Sequence, residues 1–224
     1  MTEGFTGMNP TVAKMDIDEF ENTGMGIYNS VCAANRKFMN GISKVWYSQN
    51  STEFGKVYTN ELYLVQNSIK CLVNNYIVRC VKAYNDIAAS NGAESIQDDH
   101  VPMENGSMAP NGTGEAFDDF LTARDDGVVG MDVDKVNKFL EDYSNEIQRI
   151  ISNDLNNFPL SIAFYDPDNS LKTAFKEEVD RIISELDGKV NDVYKAVNAH
   201  ITDEEHKTIE AVTSSTEAMG GTSE

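Results

Sequence analysis

No stretch of this sequence approaches the ~20 consecutive apolar residues that a helical membrane span requires. Its opening residues, Met1-Thr2-Glu3-Gly4-Phe5-Thr6-Gly7-Met8-Asn9-Pro10, carry neither a basic run nor an apolar core, which excludes a classical cleavable leader. There are three histidines, His100, His200 and His206, too scattered to assemble a Ser/His/Asp or Cys/His arrangement. No glycine-rich phosphate loop stands between a strand and a helix. Cys32, Cys71 and Cys80 are odd in number and match no CxxC or metal-ligand spacing. Cys71 and Cys80 would lie on opposite sides of one helix, so they cannot pair within it. All three read as small buried hydrophobes. Bases are scarce, with Lys+Arg 18 against Asp+Glu 37 and a net charge of −19. That balance repels nucleic acid and, near neutral pH, anionic membranes, while it leaves room for a protein partner with a basic face. These absences predict no catalytic residues, no cofactor and no metal. They also predict synthesis in the cytoplasm and, if the protein leaves the cell, secretion without a cleavable signal peptide.

What is present is helical periodicity over 224 residues, enough for a sizeable core. After a loose arm, Met15-Asp16-Ile17-Asp18-Glu19 offers an Asp as N-cap and acids for the positive helix end. Apolar residues then run Phe20, Ile27, Val31, Phe38, Ile42 and Val45, with Gly24 and Ala34 completing a narrow seam. Gly24, Gly26 and Gly41 each cost such a helix about 1 kcal/mol relative to Ala, a cost that close approach of a neighbouring helix would offset. Trp46 stands alone of its kind at the end of this helix, in Ser43-Lys44-Val45-Trp46-Tyr47-Ser48-Gln49-Asn50-Ser51. The polar cluster reads as a helix–helix connection, with the indole buried where two helices converge. Ser51 or Thr52 is expected to cap a second, proline-free helix from Phe54 to Ile87, over ~50 Å long.

Residues 91–127 read as a flexible acidic linker rich in Gly, Pro, Asn and Ser. Phe117, Phe120 and Leu121 follow at the spacing of a short docking turn. The pattern then restarts: Val128-Val129-Gly130-Met131-Asp132-Val133-Asp134 echoes Val12-Ala13-Lys14-Met15-Asp16-Ile17-Asp18. The register continues as Phe20 with Val136, Ile27 with Tyr143 and Val31 with Ile147. A third helix is expected from Val136 to Leu155, ended or kinked near Phe158 by Pro159. A fourth begins after Asp168-Asn169-Ser170 and carries Leu171, Phe175, Val179, Ile182, Leu186, Val190, Val193, Val197 and Ile201, an eleven-residue repeat. Thr202-Asp203-Glu204-Glu205 has the form of a capping box, predicting a bend and one more short helix. The chain therefore divides into a hairpin over 12–90, the linker, a second hairpin over 128–201, and a short helix with a frayed tail over 202–224. The expected fold is all-α, two long hairpins packed as an elongated four-helix bundle.

The turn motif is Trp46-Tyr47-Ser48, with Phe164-Tyr165-Asp166 in the corresponding place of the second hairpin. A helical hairpin with Trp at its turn resembles the WXG superfamily of type VII secretion substrates, typified by the early secreted antigenic target proteins of mycobacteria. The resemblance covers about 12–90, and more weakly 128–201. Ser48 stands where that family carries Gly, and its Tyr-Xaa-Xaa-Xaa-Asp/Glu export signal is not matched: Tyr84 is followed four on by Ala88, and Tyr194 by Asn198. Such proteins pair as dimers into four-helix bundles. The resemblance implies a leaderless secreted protein, or an escort for a secreted toxin, that binds a protein partner. With two hairpins on one chain, intramolecular pairing is favoured by effective concentration, predicting a monomer or at most a dimer of bundles. A membrane-active effector whose helices open and insert, and a cytoplasmic adaptor without export, are the alternatives.

Two mineral readings are weaker than the structural one. Asp98-Asp99-His100 lies on a loose linker without supporting groups. Asp166-Pro167-Asp168-Asn169-Ser170 with Glu177 has part of a calcium-loop spacing, but Leu171 replaces its glycine, so helix capping explains the residues better. The tyrosines at helical spacing read as core or seam residues with a wet hydroxyl.

Overall fold

The computed structural model describes residues 10–92, 94–95, 119–158 and 170–220. Among these, four long helices dominate: α1 (Pro10–Ile42), α2 (Gln49–Ser90), α3 (Val133–Arg149) and α4 (Ser170–Gly220). A π-helical turn, Ile150–Leu155, continues α3. Two two-residue strands, β1 (Trp46–Tyr47) and β2 (Gly130–Met131), pair antiparallel.

The protein is all-α and bundle-like. Each helix packs on two neighbours, in the cyclic order α1-α2-α4-α3. Contacts at the two ends set the directions. Phe20 of α1 meets Tyr76, Phe158 and Phe175 at one end, while Trp46 meets Phe54 and His200 at the other. Every neighbouring pair is therefore antiparallel. The α1–α2 turn lies at the Trp46 end, and the chain passes from α3 to α4 at the opposite end.

One buried cluster draws on all four helices, so the hairpins share a single interior. The apolar positions expected to face the core on α1 and α3 do so: Phe20, Ile27 and Val31, and Val136, Tyr143 and Ile147, are all buried. Along α4 the residues at steps of four and three, from Phe175 to Ile201, are buried too. Phe38 stacks on Tyr143 at 4.6 Å, towards the Trp46 end of the core. The Tyr143 hydroxyl is not wet, as expected of the tyrosines, but donates to buried Asn35 Oδ1 at 2.9 Å.

Two of the three α1 glycines meet a neighbouring helix. A Cβ on Gly41 would come 2.6 Å from the Phe139 ring, and one on Gly24 would collide with Val73. Gly26 faces open space, so close approach does not account for it.

Element boundaries depart from expectation in four places. First, α1 begins at Pro10 rather than at an Asp16 cap, since proline is well tolerated in a first helical turn. Second, α2 is capped by Ser48, one turn earlier than Ser51 or Thr52. Third, α3 passes into the π turn before Phe158. Ile150, Ile151 and Leu155 are buried along that turn. Fourth, the helix does not end at Thr202 but continues to Gly220. The Thr202 hydroxyl donates to Asn198 O one turn back, and Asp203 pairs with Lys207 along the same helix, so the capping groups are used inside α4.

Candidate functional site

Among the described residues, much of the irregular backbone lies at the Trp46 end of the bundle. Past Ile42 the chain tightens, with Lys44 N–H donating to Gly41 O at 3.3 Å and Val45 N–H to Ile42 O at 3.0 Å. It then extends through β1. Trp46 lies opposite Met131 and Tyr47 opposite Gly130, and Asp132 N–H donates to Val45 O at 2.9 Å. These bonds lock the start of the second hairpin to the turn of the first. Gly127 (φ +82°) and Gly130 (φ +125°) supply backbone conformations that bring residues 124–131 alongside the turn.

Trp46 is completely buried, 0% exposed. Its ring centroid lies 5.4 Å from Phe54 and 5.2 Å from His200 of α4. The indole N–H donates to Ser48 Oγ at 2.9 Å. That oxygen also accepts from Ser51 N–H at 3.2 Å, and Ser51 Oγ accepts from Ser48 N–H at 3.2 Å, closing a capping box at the start of α2. The single Ser51 hydroxyl proton is shared between Ser48 O at 2.8 Å and Leu121 O at 3.2 Å. Tyr47 packs at the rim, its hydroxyl donating to Lys44 O at 2.8 Å.

Phe120 and Leu121 lie outside any helical turn, and the Phe120 ring covers Gly55. A Cβ at Gly55 would stand 2.5 Å from that ring, so the glycine is the slot into which the end of the linker docks. Asn50 Nδ2 ties α2 to α4 by donating to Asp203 Oδ2 at 2.7 Å and Glu204 Oε1 at 3.1 Å. The Lys207 ammonium, then Asn50, hold the Asp203 carboxyl below the ordinary range. Asp126 is held down to about 2, chiefly by its hydrogen bond to the Arg124 guanidinium.

Beyond Glu204, α4 runs past the bundle, and side chains 205–215 are all exposed, Ile209 and Val212 among them. Leu121, Val128 and Val129 are exposed at the same end. Polar groups here are spent on caps and inter-helix ties, while apolar side chains and a helix extension face solvent.

The structure brings Trp46, Tyr47 and Ser48 together as one turn. Phe164, Tyr165 and Asp166 lie outside the described residues, as do Asp98, Asp99, His100 and Phe117. Ser170 opens α4 and Glu177 sits two turns into it, exposed. His206 is exposed near Glu210. Among the described residues, no group of three or more His, Cys, Asp or Glu is placed to hold a metal ion, and no helix is long and apolar enough to cross a membrane. All three cysteines are free thiols. A cleft of about 180 Å³ between α2 and α4, lined by Leu72, Tyr76, Arg79, Phe175 and Glu178, is smaller than the ~300 Å³ at which ligand pockets begin.

Sequence reading missed Ser48 as the cap, although Ser-x-x-Ser after an aromatic is a readable capping signal. It missed His200 beside Trp46 and the Gly55–Phe120 contact, which join residues far apart in the chain. Comparison with family models, with curated proteins and with solved structures finds no match.

Proposed function

We propose that this chain is a non-enzymatic interaction protein of the WXG type, a type VII secretion substrate or the escort of a secreted effector. The observation that carries the proposal is Trp46, wholly buried at the turn of one hairpin that shares its core with a second hairpin of the same chain. One polypeptide then supplies the four helices that members of that superfamily assemble from two. The absence of glycine at position 48 does not weaken the reading, because Ser48 has φ −163°, an extended conformation open to any residue. The partner docks at the Trp46 end, on Leu121, Val128, Val129 and the outward-running end of α4.

The test is export. Culture supernatants of the source organism are compared with those of a strain lacking the type VII motor ATPase. The expected result is full-length protein in the medium of the first and its loss from the second. Secretion that persists without the motor would overturn the assignment. Retention in the cytoplasm of both strains would make the protein an adaptor.

A further inference from the structure

The geometry points to a second, separate surface: the outer face of α2, on which another copy of this chain docks antiparallel. Although the core face of α2 is fully engaged, its opposite face carries Val57, Leu64, Cys71 and Val78 at steps of seven. Val57 is 52%, Leu64 47% and Val78 57% exposed, and Cys71 is half-buried. Apolar side chains seven apart lie along the line of a left-handed helix pair, with Asn60, Asn67 and the largely buried Asn74 in the intervening places.

Charge selects the occupant. The protein is strongly acidic, yet no Asp or Glu occurs between Glu61 and Asp86. The three bases in that interval already have company. Lys70 lies over the Tyr28 ring at 4.5 Å, Arg79 lines a cleft with Glu178, and Lys82 pairs with Asp86. Of the acids at the border, Glu61 is held by Lys189 and Glu185 by Arg181. The face is apolar and near neutral. In a chain of net charge −19, two copies meet there without the repulsion that α3 and α4, lined with exposed carboxylates, would impose.

The stripe is also self-complementary about a two-fold axis. In the antiparallel register centred between Leu64 and Cys71, Val57 of each copy faces Val78 of the other, and Leu64 faces Cys71. At both ends of the seam Glu53 comes opposite Lys82. One helix pair is a small interface, so the dimer should be weak and freely dissociable. This proposal concerns the completed bundle and does not depend on export.

Sedimentation equilibrium of the full chain from ~5 μM to ~1 mM tests it under reducing conditions. Wild type is expected to pass from monomer to dimer. Leu64→Glu and Val78→Glu, both at exposed positions, should stay monomeric with unchanged helical circular dichroism. Leu64→Cys then tests the register. On mild oxidation it should form a dimer joined through Cys71, whereas wild type should not. The two Cys71 residues would sit about 10 Å apart along the axis, beyond disulfide reach. A wild-type protein monomeric at ~1 mM, or a dimer that survives Leu64→Glu, would overturn the docking face. A Cys71–Cys71 bridge in wild type would overturn the antiparallel register.

Discussion

The Trp46 indole and the Ser48 hydroxyl form one unit: the ring nitrogen donates to the oxygen that caps α2. Burial of the indole and initiation of the helix therefore depend on the same side chain. Ser48→Gly installs the Trp-Xaa-Gly form at no backbone cost, and as a cap alone glycine loses only a few tenths of a kcal/mol. It also strands a buried indole N–H, which costs about 1–3 kcal/mol. Ser48→Gly is accordingly expected to destabilise the protein by about 1–3 kcal/mol in urea unfolding. Trp46→Ala should cost about 3–5 kcal/mol.

Gly24 and Gly26, both inside α1, should respond to alanine with opposite signs. Gly26 meets nothing within 4 Å, so Gly26→Ala gains helix propensity and should stabilise by about 0.5–1 kcal/mol. Gly24→Ala drives a methyl into Val73, and overpacking of about 1–3 kcal/mol outweighs the same gain. Adding Val73→Ala relieves the collision, so the double variant should lose less than the two single losses combined. Thermal unfolding of the four variants checks this.

The contrast between these glycines marks what the sequence could reveal. Apolar spacing shows that α1 has a buried face, and Phe20, Ile27, Val31 and Phe38 lie on it. It cannot show which glycine meets another helix, because Val73 and Phe139 arrive from elements distant in sequence. The same limit hid Phe120 over Gly55 and His200 beside Trp46. The buried face of α3 was legible in the same way as that of α1, and Val136, Leu140, Tyr143 and Ile147 lie on it. The π turn was legible only as two adjacent isoleucines, a pattern that an α-helix with a broad apolar face also accommodates. At the site, the Trp46 turn could be read from composition. The strand pairing with Gly130–Met131 could not, since two residues carry no periodicity.

Asn35 and Tyr143 are a buried polar pair joining α1 to α3. The tyrosine hydroxyl donates to Asn35 Oδ1, while Asn35 Nδ2 has no partner. Tyr143→Phe leaves the amide wholly unsatisfied and should cost about 1–3 kcal/mol. Replacing both, Asn35→Leu with Tyr143→Phe, removes every stranded group and should return stability to near wild type or above it. Urea midpoints of the single and double variants decide the matter. A double variant as unstable as Tyr143→Phe would mean that Leu does not fit the space left by Asn35.

Acid titration isolates the tie between α2 and α4. Asp203 has its carboxyl pKa lowered, first by Lys207 and then by Asn50. A group depressed in the folded state contributes stability above its unfolded value, and that contribution is lost as pH falls through the folded one. The window here runs from about pH 5 downward. Acidification also relieves the mutual repulsion of a chain at −19, which acts in the opposite direction and masks the effect in wild type alone. Asp203→Asn keeps an oxygen for Asn50 and Lys207 while removing the charge, and it shares nearly all of that repulsion. The difference in Tm between wild type and Asp203→Asn therefore cancels the global effect. It is expected to favour wild type above pH 5 and to shrink toward zero as the pH falls through the carboxyl's lowered folded value. Because Asp203 is exposed, the difference should be small and should narrow further at 1 M salt. A Tm difference that stays constant between pH 6 and pH 2 would show that the Asp203 charge does not contribute to holding α4 against α2.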